Sequence, residues 1–385
     1  MTPPEKRATL SIAMLFSLRM LGLFMILPVF TLYADHLNHA TPFLIGAALG
    51  IYGLTQALFQ LPFGFLSDHY SRKKIIALGF GIFILGSFLA ALSHSIYGVM
   101  AGRALQGAGA VGSTLIALLS DLTRPEKRSK SMAILGIMIG CSFFLSIILG
   151  PFLASHIGVS GIFILTGILG LFAILLLYTL VPNPPEGTHS KPSNFKASFI
   201  LLSKNMQILS LNLGIFCLHA ILTASFVVIP LWVSHWTGYV TPMLISIILT
   251  FGFIGFAEKN KKVFYLYFWA ILGLIIAEVF LWQYHQKSWM LSIGLTLFFL
   301  SFNLLEANLP SLISRLAPPD IKGTTIGIYS TCQFLGIFCG GLLGGTLYQY
   351  FAPAAVLLSC AVLAVLWLSL SLIIRFSKKT TWREI

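Results

Sequence analysis

Gly64-Phe-Leu-Ser-Asp-His-Tyr-Ser-Arg-Lys-Lys74 sets one acid and three bases between two almost wholly apolar runs, 42–67 and 73–93. A helix needs about 20 apolar residues to cross the hydrocarbon core of a bilayer, and each run supplies them. The quoted stretch therefore reads as the turn between two crossings, and its bases mark the cytoplasmic side. Carried outward, the same reading divides the chain into twelve apolar runs: 8–33, 42–67, 73–93, 95–120, 130–153, 159–181, 207–233, 241–257, 263–283, 288–313, 323–349 and 354–375. The eighth is the shortest. The first is too long for a cleaved signal peptide and lacks a small-residue cleavage site, so it counts as a span.

Composition agrees. Only 9% of the 385 residues are charged and 57% are hydrophobic, and the mean hydropathy is +0.92. Soluble domains carry about 25% charged residues. A disordered chain, a nucleic-acid-binding domain and an ordinary cytosolic enzyme are excluded, and the net charge of +13 fits basic cytoplasmic loops. The five cysteines, Cys141, Cys217, Cys332, Cys339 and Cys360, all fall inside apolar runs. They read as small packing residues, not as a disulfide framework or a metal site.

With the N-terminus in the cytoplasm, all but three of the 24 basic residues fall in cytoplasmic segments. Lys287 lies outside, and Arg19 and Arg103 lie within spans. Twelve spans return the C-terminus to the same side, giving an N-in, C-in all-α membrane protein. The longest polar break begins at Val181-Pro-Asn-Pro-Pro-Glu-Gly187, where proline cannot continue a helix. It divides the chain into a six-helix bundle over 1–181, a cytoplasmic linker over 182–206 and a second six-helix bundle over 207–385. Polar landmarks recur across the break. The loop from Asp68 matches one from Glu258, and 121–130 matches 315–322. Two pseudo-symmetric halves joined by a long linker are the layout of a transporter with its binding site between the halves.

The motifs add a resemblance. Gly64, Leu66, Ser67, Asp68, Arg72 and Lys73 resemble motif A of the major facilitator superfamily, G-x-L-[SA]-D-R-x-G-R-[RK], from which His69 and Ser71 depart. An acid and a base at a helix joint can form a latch that breaks as the halves rock. By the resemblance Asp68 would meet Gly323 and Thr324 at a helix N-terminus, Arg72 would meet Asp121, and His69 would weaken the latch or make it pH-sensitive. The plainer reading is a positive stop signal. Arg103-Ala-Leu-Gln-Gly-Ala-Gly-Ala110 resembles motif B, whose arginine is tied in the family to proton transfer. An arginine inside a span costs roughly 2.5–3.5 kcal/mol on insertion scales, so it is expected to face a polar cavity or a partner, unless it snorkels to an interface. Gly136, Gly140, Gly150 and Pro151 resemble motif C, associated with the drug:proton antiporters. Small residues four apart predict close helix packing, and Gly-Pro predicts a hinge. Ala154-Ser155 stand where that motif has Gly-Gly.

Further stretches, Ser17-Leu-Arg-Met-Leu-Gly22, Gly50-Ile-Tyr-Gly-Leu-Thr-Gln-Ala57, Leu118-Leu-Ser-Asp-Leu-Thr-Arg124 and Pro310-Ser-Leu-Ile-Ser314 among them, are similar to the YajR-type bacterial antiporters within that superfamily. Against that type the region from span 7 to span 8 is shortened. The sequence ends at Ile385, where the type continues into a small soluble domain, so regulation by such a domain is expected to be absent. The resemblance implies a monomer in the bacterial inner membrane with the proton as coupling ion and no cofactor.

Arg19, Arg103, Glu278 and Glu306 are the ionisable residues well inside spans, with His219 beside them. Burial disfavours the charged form of a carboxyl, which lets a proton go on and off. Glu306, in Asn303-Leu-Leu-Glu-Ala-Asn-Leu-Pro310, is the leading protonation site, with Arg103 and Arg19 as further coupling candidates. Its alternative is a packing carboxyl bonded to Asn303. Phe24, Tyr52, Gln56, Gln60, Gln106, Phe143, His219, Phe226, Asn303 and Gln333 are the expected cavity side chains, aromatic and amide groups suited to a broad amphipathic ligand, a cation included. No G-x-x-x-x-G-K-[ST] loop occurs, so ATP is not the direct energy source. The expected function is proton-coupled efflux of small amphipathic or drug-like compounds. A carrier for a sugar, an organic acid or another metabolite remains the alternative on the same scaffold. A membrane sensor would not need the duplicated layout, and an intramembrane enzyme would need a motif such as H-E-x-x-H. Neither nucleic acid nor metal is an expected partner.

Overall fold

The computed structural model describes residues 1–183, 201–233, 235–260, 262–318 and 321–376. Most of the predicted linker therefore lies outside the described residues. Among the described residues the regular elements are helices, with one isolated bridge between Asn38 and Ser95. In chain order they are α1 Pro3–Phe24, α2 Phe30–Ala34, α3 Pro42–His69, α4 Arg72–Leu92, α5 Ile96–Ala108, α6 Gly112–Asp121 and α7 Pro125–Thr179. Then come α8 Met206–Val228, α9 Thr237–Lys259, α10 Val263–Tyr284, α11 Ser288–Leu316, α12 Lys322–Tyr350 and α13 Ala354–Phe376. Helices are what lipid demands, because a backbone N–H or C=O without a partner costs several kcal/mol in hydrocarbon. Ten of these helices are long and apolar enough to cross a membrane. Their outward faces carry large apolar residues such as Leu85, Phe251 and Ile373, which are well exposed and suit contact with acyl chains.

Where run and helix disagree, the backbone gives the reason. Run 8–33 is two helices, because α1 ends at Phe24 and residues 25–29, which include Pro28, form turns before α2. Run 95–120 is also two. Between α5 and α6 the chain leaves helical geometry at Gly109 (φ −70°, ψ 53°), and a Cβ there would fall on the carbonyl oxygen of Gly79 in α4. Runs 130–153 and 159–181, in contrast, are borne out as two helices, because α7, 55 residues in all, is kinked in the gap between them. At 1.5 Å per residue that is about 80 Å, far more than one crossing. Its one interruption is Gly158, at φ 69° and ψ 173°, a region that only glycine occupies without strain.

The chain divides into two compact units. The first holds Met1–Ala40 and the chain from Ile51 to the linker, and the second holds Thr41–Gly50 and the chain beyond the linker. In the first, α1 packs along α7, and α4 packs on α5 and α7. In the second, α8 packs most extensively on α12 and also meets α13 and α11, while α10 and α9 flank α11. The most apolar stretch of α8 is 89% buried, against 28% for α9. Side chains on α8 therefore sit at the centre of that unit. Asn205 starts α8 by accepting the N–H groups of Gln207 (3.0 Å) and Ile208 (3.2 Å), the usual service of an N-cap.

Gly158→Val should lower the thermal stability of the purified protein by about 1–3 kcal/mol, the cost of holding a side chain in that backbone region. Gly136→Ala, at an open helical position, should not. Equal melting behaviour of the two variants would show that Gly158 is not a required break.

Candidate functional site

Three groups of polar side chains hold the predicted residues. The first lies at the joint of α3 and α4. Arg72, the first residue of α4, is buried. Its Nε donates to Asp121 Oδ2 at the end of α6, and its Nη1 donates to Asp68 Oδ1 (3.3 Å) and Ser67 Oγ (3.2 Å). The acids differ, since the Asp121 side chain is 12% exposed and that of Asp68 is 44% exposed. His69 turns back to the carbonyl of Phe65 in its own helix (2.9 Å). Gly64 has room to spare, with a Cβ there no closer than 3.7 Å to Ser113, so nothing in the structure explains glycine at that position. Lys73 does a separate job: its Nζ donates to the carbonyl of Val181 (2.6 Å). Arg7 joins it by donating to the carbonyls of Leu180 (3.1 Å) and Thr179 (3.3 Å). Two cations thus cap the end of α7, whose last carbonyls have no intrahelical donors.

Sequence reasoning assigned no role to the pair beside this joint. Glu5, buried in the first turn of α1, accepts from Arg124 Nε (2.9 Å), Arg124 Nη2 (3.3 Å), the Arg124 backbone N–H (3.2 Å) and the Thr2 N–H (2.7 Å). The signal was present in Thr2-x-x-Glu5, a capping-box spacing.

The glycines expected to pack α7 closely behave differently from one another. Gly136 and Gly140 are exposed, and a Cβ at either would meet nothing within 4 Å, which corrects the expectation of close helix contact there. Gly150 is the tight one, because a Cβ would fall on the carbonyl oxygen of Met25. The helix continues through Pro151, which corrects the hinge expected at Gly150-Pro151; the break comes about two turns later, at Gly158, in the gap between the two predicted runs. Beside Gly150, Phe24 of α1 meets Phe143 of α7 edge to face at 5.0 Å.

The second group fills the interior of the first unit. Arg19 on α1 and Arg103 on α5 are each 1% exposed, and Tyr52 on α3 is fully buried. The two guanidinium carbons lie 5.9 and 5.1 Å from the centre of the Tyr52 ring, within the range of a cation–π contact. Arg19 Nη2 donates to Gln56 Oε1, and Gln56 Nε2 donates to Gln60 Oε1 (3.3 Å). Arg103 Nη1 donates to Gln106 Oε1 (3.2 Å), and Gln106 Nε2 donates to Ser87 Oγ (2.9 Å). Four of the expected cavity residues, Tyr52, Gln56, Gln60 and Gln106, are thus gathered around the two arginines. Ser87 is an addition, and it bonds back to Phe83 O (2.8 Å).

The third group lies in the second unit. His219 on α8 is buried, and Gln333 Nε2 on α12 lies 2.8 Å from its Nε2. Its Nδ1 lies 3.3 Å from the carbonyl of Ile215, and Glu306 Oε2 on α11 is 3.8 Å from its Nε2. The Glu306 side chain is 28% exposed, and its Oε2 has no hydrogen-bond partner among the described residues. Asn303 does not bond to it, because Asn303 Nδ2 donates to Ser246 Oγ (3.4 Å). Glu278 forms a separate site, fully buried, with Oε1 accepting from Ser225 Oγ (2.8 Å). Phe226 is core, ringed by Phe298, Phe299 and Tyr239 at 6.3–6.4 Å, which corrects its placement among the cavity residues.

Residues 12–263 match the Major Facilitator Superfamily, and the chain belongs to that superfamily. It is a multi-pass transporter of small molecules in the bacterial inner membrane. The inner membrane transport protein YajR of Escherichia coli (strain K12) is 43% identical over 380 residues, which cover 96% of this chain and 84% of that protein. The quinolone resistance protein NorA of Staphylococcus aureus (strain MRSA252) is 27% identical over 89% of this chain and 90% of its own length. Among solved structures, a bacterial homolog to the human lysosomal transporter Spinster shares the fold with a TM-score of 0.78, at 16% identity and with both chains fully covered.

Asp121→Asn should destabilise the protein by about 2–3 kcal/mol, because it takes from a buried guanidinium the more enclosed of its two acids. Asp68→Asn should cost about 0–1 kcal/mol, as for exposed pairs. Thermal unfolding of the purified variants checks the order. A larger loss from Asp68→Asn would place the stabilising pair on the wrong acid.

Proposed function

We propose that the protein is a proton-coupled antiporter that exports small amphipathic compounds by alternating access, with Glu306 as the group that takes up and releases the coupling proton. The observation that carries this reading is the cluster of His219, Gln333 and Glu306. A carboxyl that is neither fully buried nor tied down, and that stands 3.8 Å from an imidazole, can exchange a proton and change the local charge by one. The quinolone resistance protein in the family supports drug-like cargo. In this account the chain crosses the membrane twelve times with both termini in the cytoplasm and works as a monomer. The α5–α6 pair counts as one broken crossing and α7 as two that meet at Gly158. Arg72, Asp68 and Asp121 act as a latch on the outward-facing state, and the Gly150–Gly158 segment acts as the bend.

Inverted vesicles carrying the protein and energised by respiration test this with a pH-sensitive dye. Addition of an amphipathic compound should dequench the dye, and Glu306→Gln should abolish the response. Unchanged dequenching and pH dependence in Glu306→Gln would remove Glu306 from the coupling step. Dequenching by sugars alone would move the protein to the metabolite-carrier reading.

A further inference from the structure

We infer that the interior of the first unit is a recognition site for an anionic group, and that the cargo is an amphipathic organic anion. Arg19 and Arg103 are both about 99% buried and share one aromatic ring. Each donates one hydrogen bond, to a glutamine oxygen. Arg19 Nε and Nη1 and Arg103 Nε and Nη2 are buried without an acceptor among the described residues. No described acid compensates them. The acids of this unit's described residues are Glu5, Asp35, Asp68, Asp121 and Glu126. Glu5 is committed to Arg124, and Asp68 and Asp121 are committed to Arg72. Asp35 and Glu126 are exposed.

Two like charges buried against one ring repel each other, and unpaired N–H donors on a charged group are costly to desolvate. The Tyr52 ring offsets part of that cost, but it accepts no hydrogen bond in the guanidinium plane. A carboxylate, sulfonate or phosphate would accept from the free nitrogens of a guanidinium and neutralise a charge, because planar guanidinium forks match such groups. A cationic cargo would add a third positive charge. The aromatic and amide surroundings suit an apolar body behind the acid. This inference rests on the export reading only in calling the ligand cargo.

The test is equilibrium binding to the full chain in nanodiscs of phosphatidylcholine at fixed pH, which does not require proton movement. Failure of proton coupling and failure of anion recognition are therefore read separately. The probes are naphthalene and pyrene bodies, each carrying a carboxylate, a carboxamide or a methylammonium group. At least one carboxylate should bind about tenfold more tightly than its amide, and the ammonium forms should bind most weakly. Arg19→Gln and Arg103→Gln should each erase most of that preference. Arg103→Lys, which keeps the charge without the planar fork, should retain part of it and serves where a glutamine variant does not fold. Repeating the binding in phosphatidylglycerol nanodiscs separates the sources of the anion. Weakened carboxylate binding there would make a lipid headgroup an occupant of the same site, and unchanged binding would leave the site to soluble anions. No carboxylate outbinding its amide, tightest binding of an ammonium form, or full preference in both glutamine variants would overturn the inference.

Discussion

Hydrocarbon offers an ionisable side chain nothing to bond to, and the placement of charge in this chain follows from that constraint. At the ends of the helices charges are spent on backbone and on one another. Arg72 takes Asp121 and Asp68, Arg124 takes Glu5, and Lys73 and Arg7 close the last turn of α7. These contacts position α1, α3, α4, α6 and α7 at one end of the first unit. They also leave Arg19 and Arg103 as the buried cations of that unit with N–H donors unpaired among the described residues.

The buried charges of the second unit are of the other kind. Glu278 is enclosed and accepts one hydroxyl bond, whereas Glu306 is half-open beside His219. Two carboxyls on neighbouring helices thus receive different surroundings from the packing of α8, the most buried helix of its unit. The contrast separates a carboxyl that can exchange protons with its surroundings from one locked in the core. On the proposed reading, the arginine pair attracts the negative charge of the cargo and Glu306 carries the proton. An exporter of organic anions driven by protons needs both capacities.

Much of the fold was legible because lipid imposes a simple rule on the sequence: long apolar runs ended by charge. The rule is blind to backbone geometry. It could not distinguish a helix broken by turns at 25–29 or at Gly109 from a continuous one, although the gap it left at 154–158 does hold the break at Gly158. A glycine's positive φ leaves no mark in hydropathy. At the candidate site, the glutamines, Tyr52 and the two arginines stood out because polar groups are rare in spans, and the structure brings them together. Phe226 failed as a cavity residue because one phenylalanine among 32 carries no address. Lys73 looked like part of a latch because its motif includes it, but its partner, the carbonyl of Val181, is a backbone atom 108 residues away.

The central claim is that Glu306 exchanges a proton within the membrane, and infrared titration of the full chain in lipid tests it most directly. The carboxylic-acid C=O stretch is followed from acid to alkaline pH in the native protein and in Glu306→Gln, with Glu278→Gln as a comparison. The account predicts a reversible, pH-dependent band that loses amplitude in Glu306→Gln and keeps it in Glu278→Gln. A band that titrates identically in the native protein and in Glu306→Gln would contradict it.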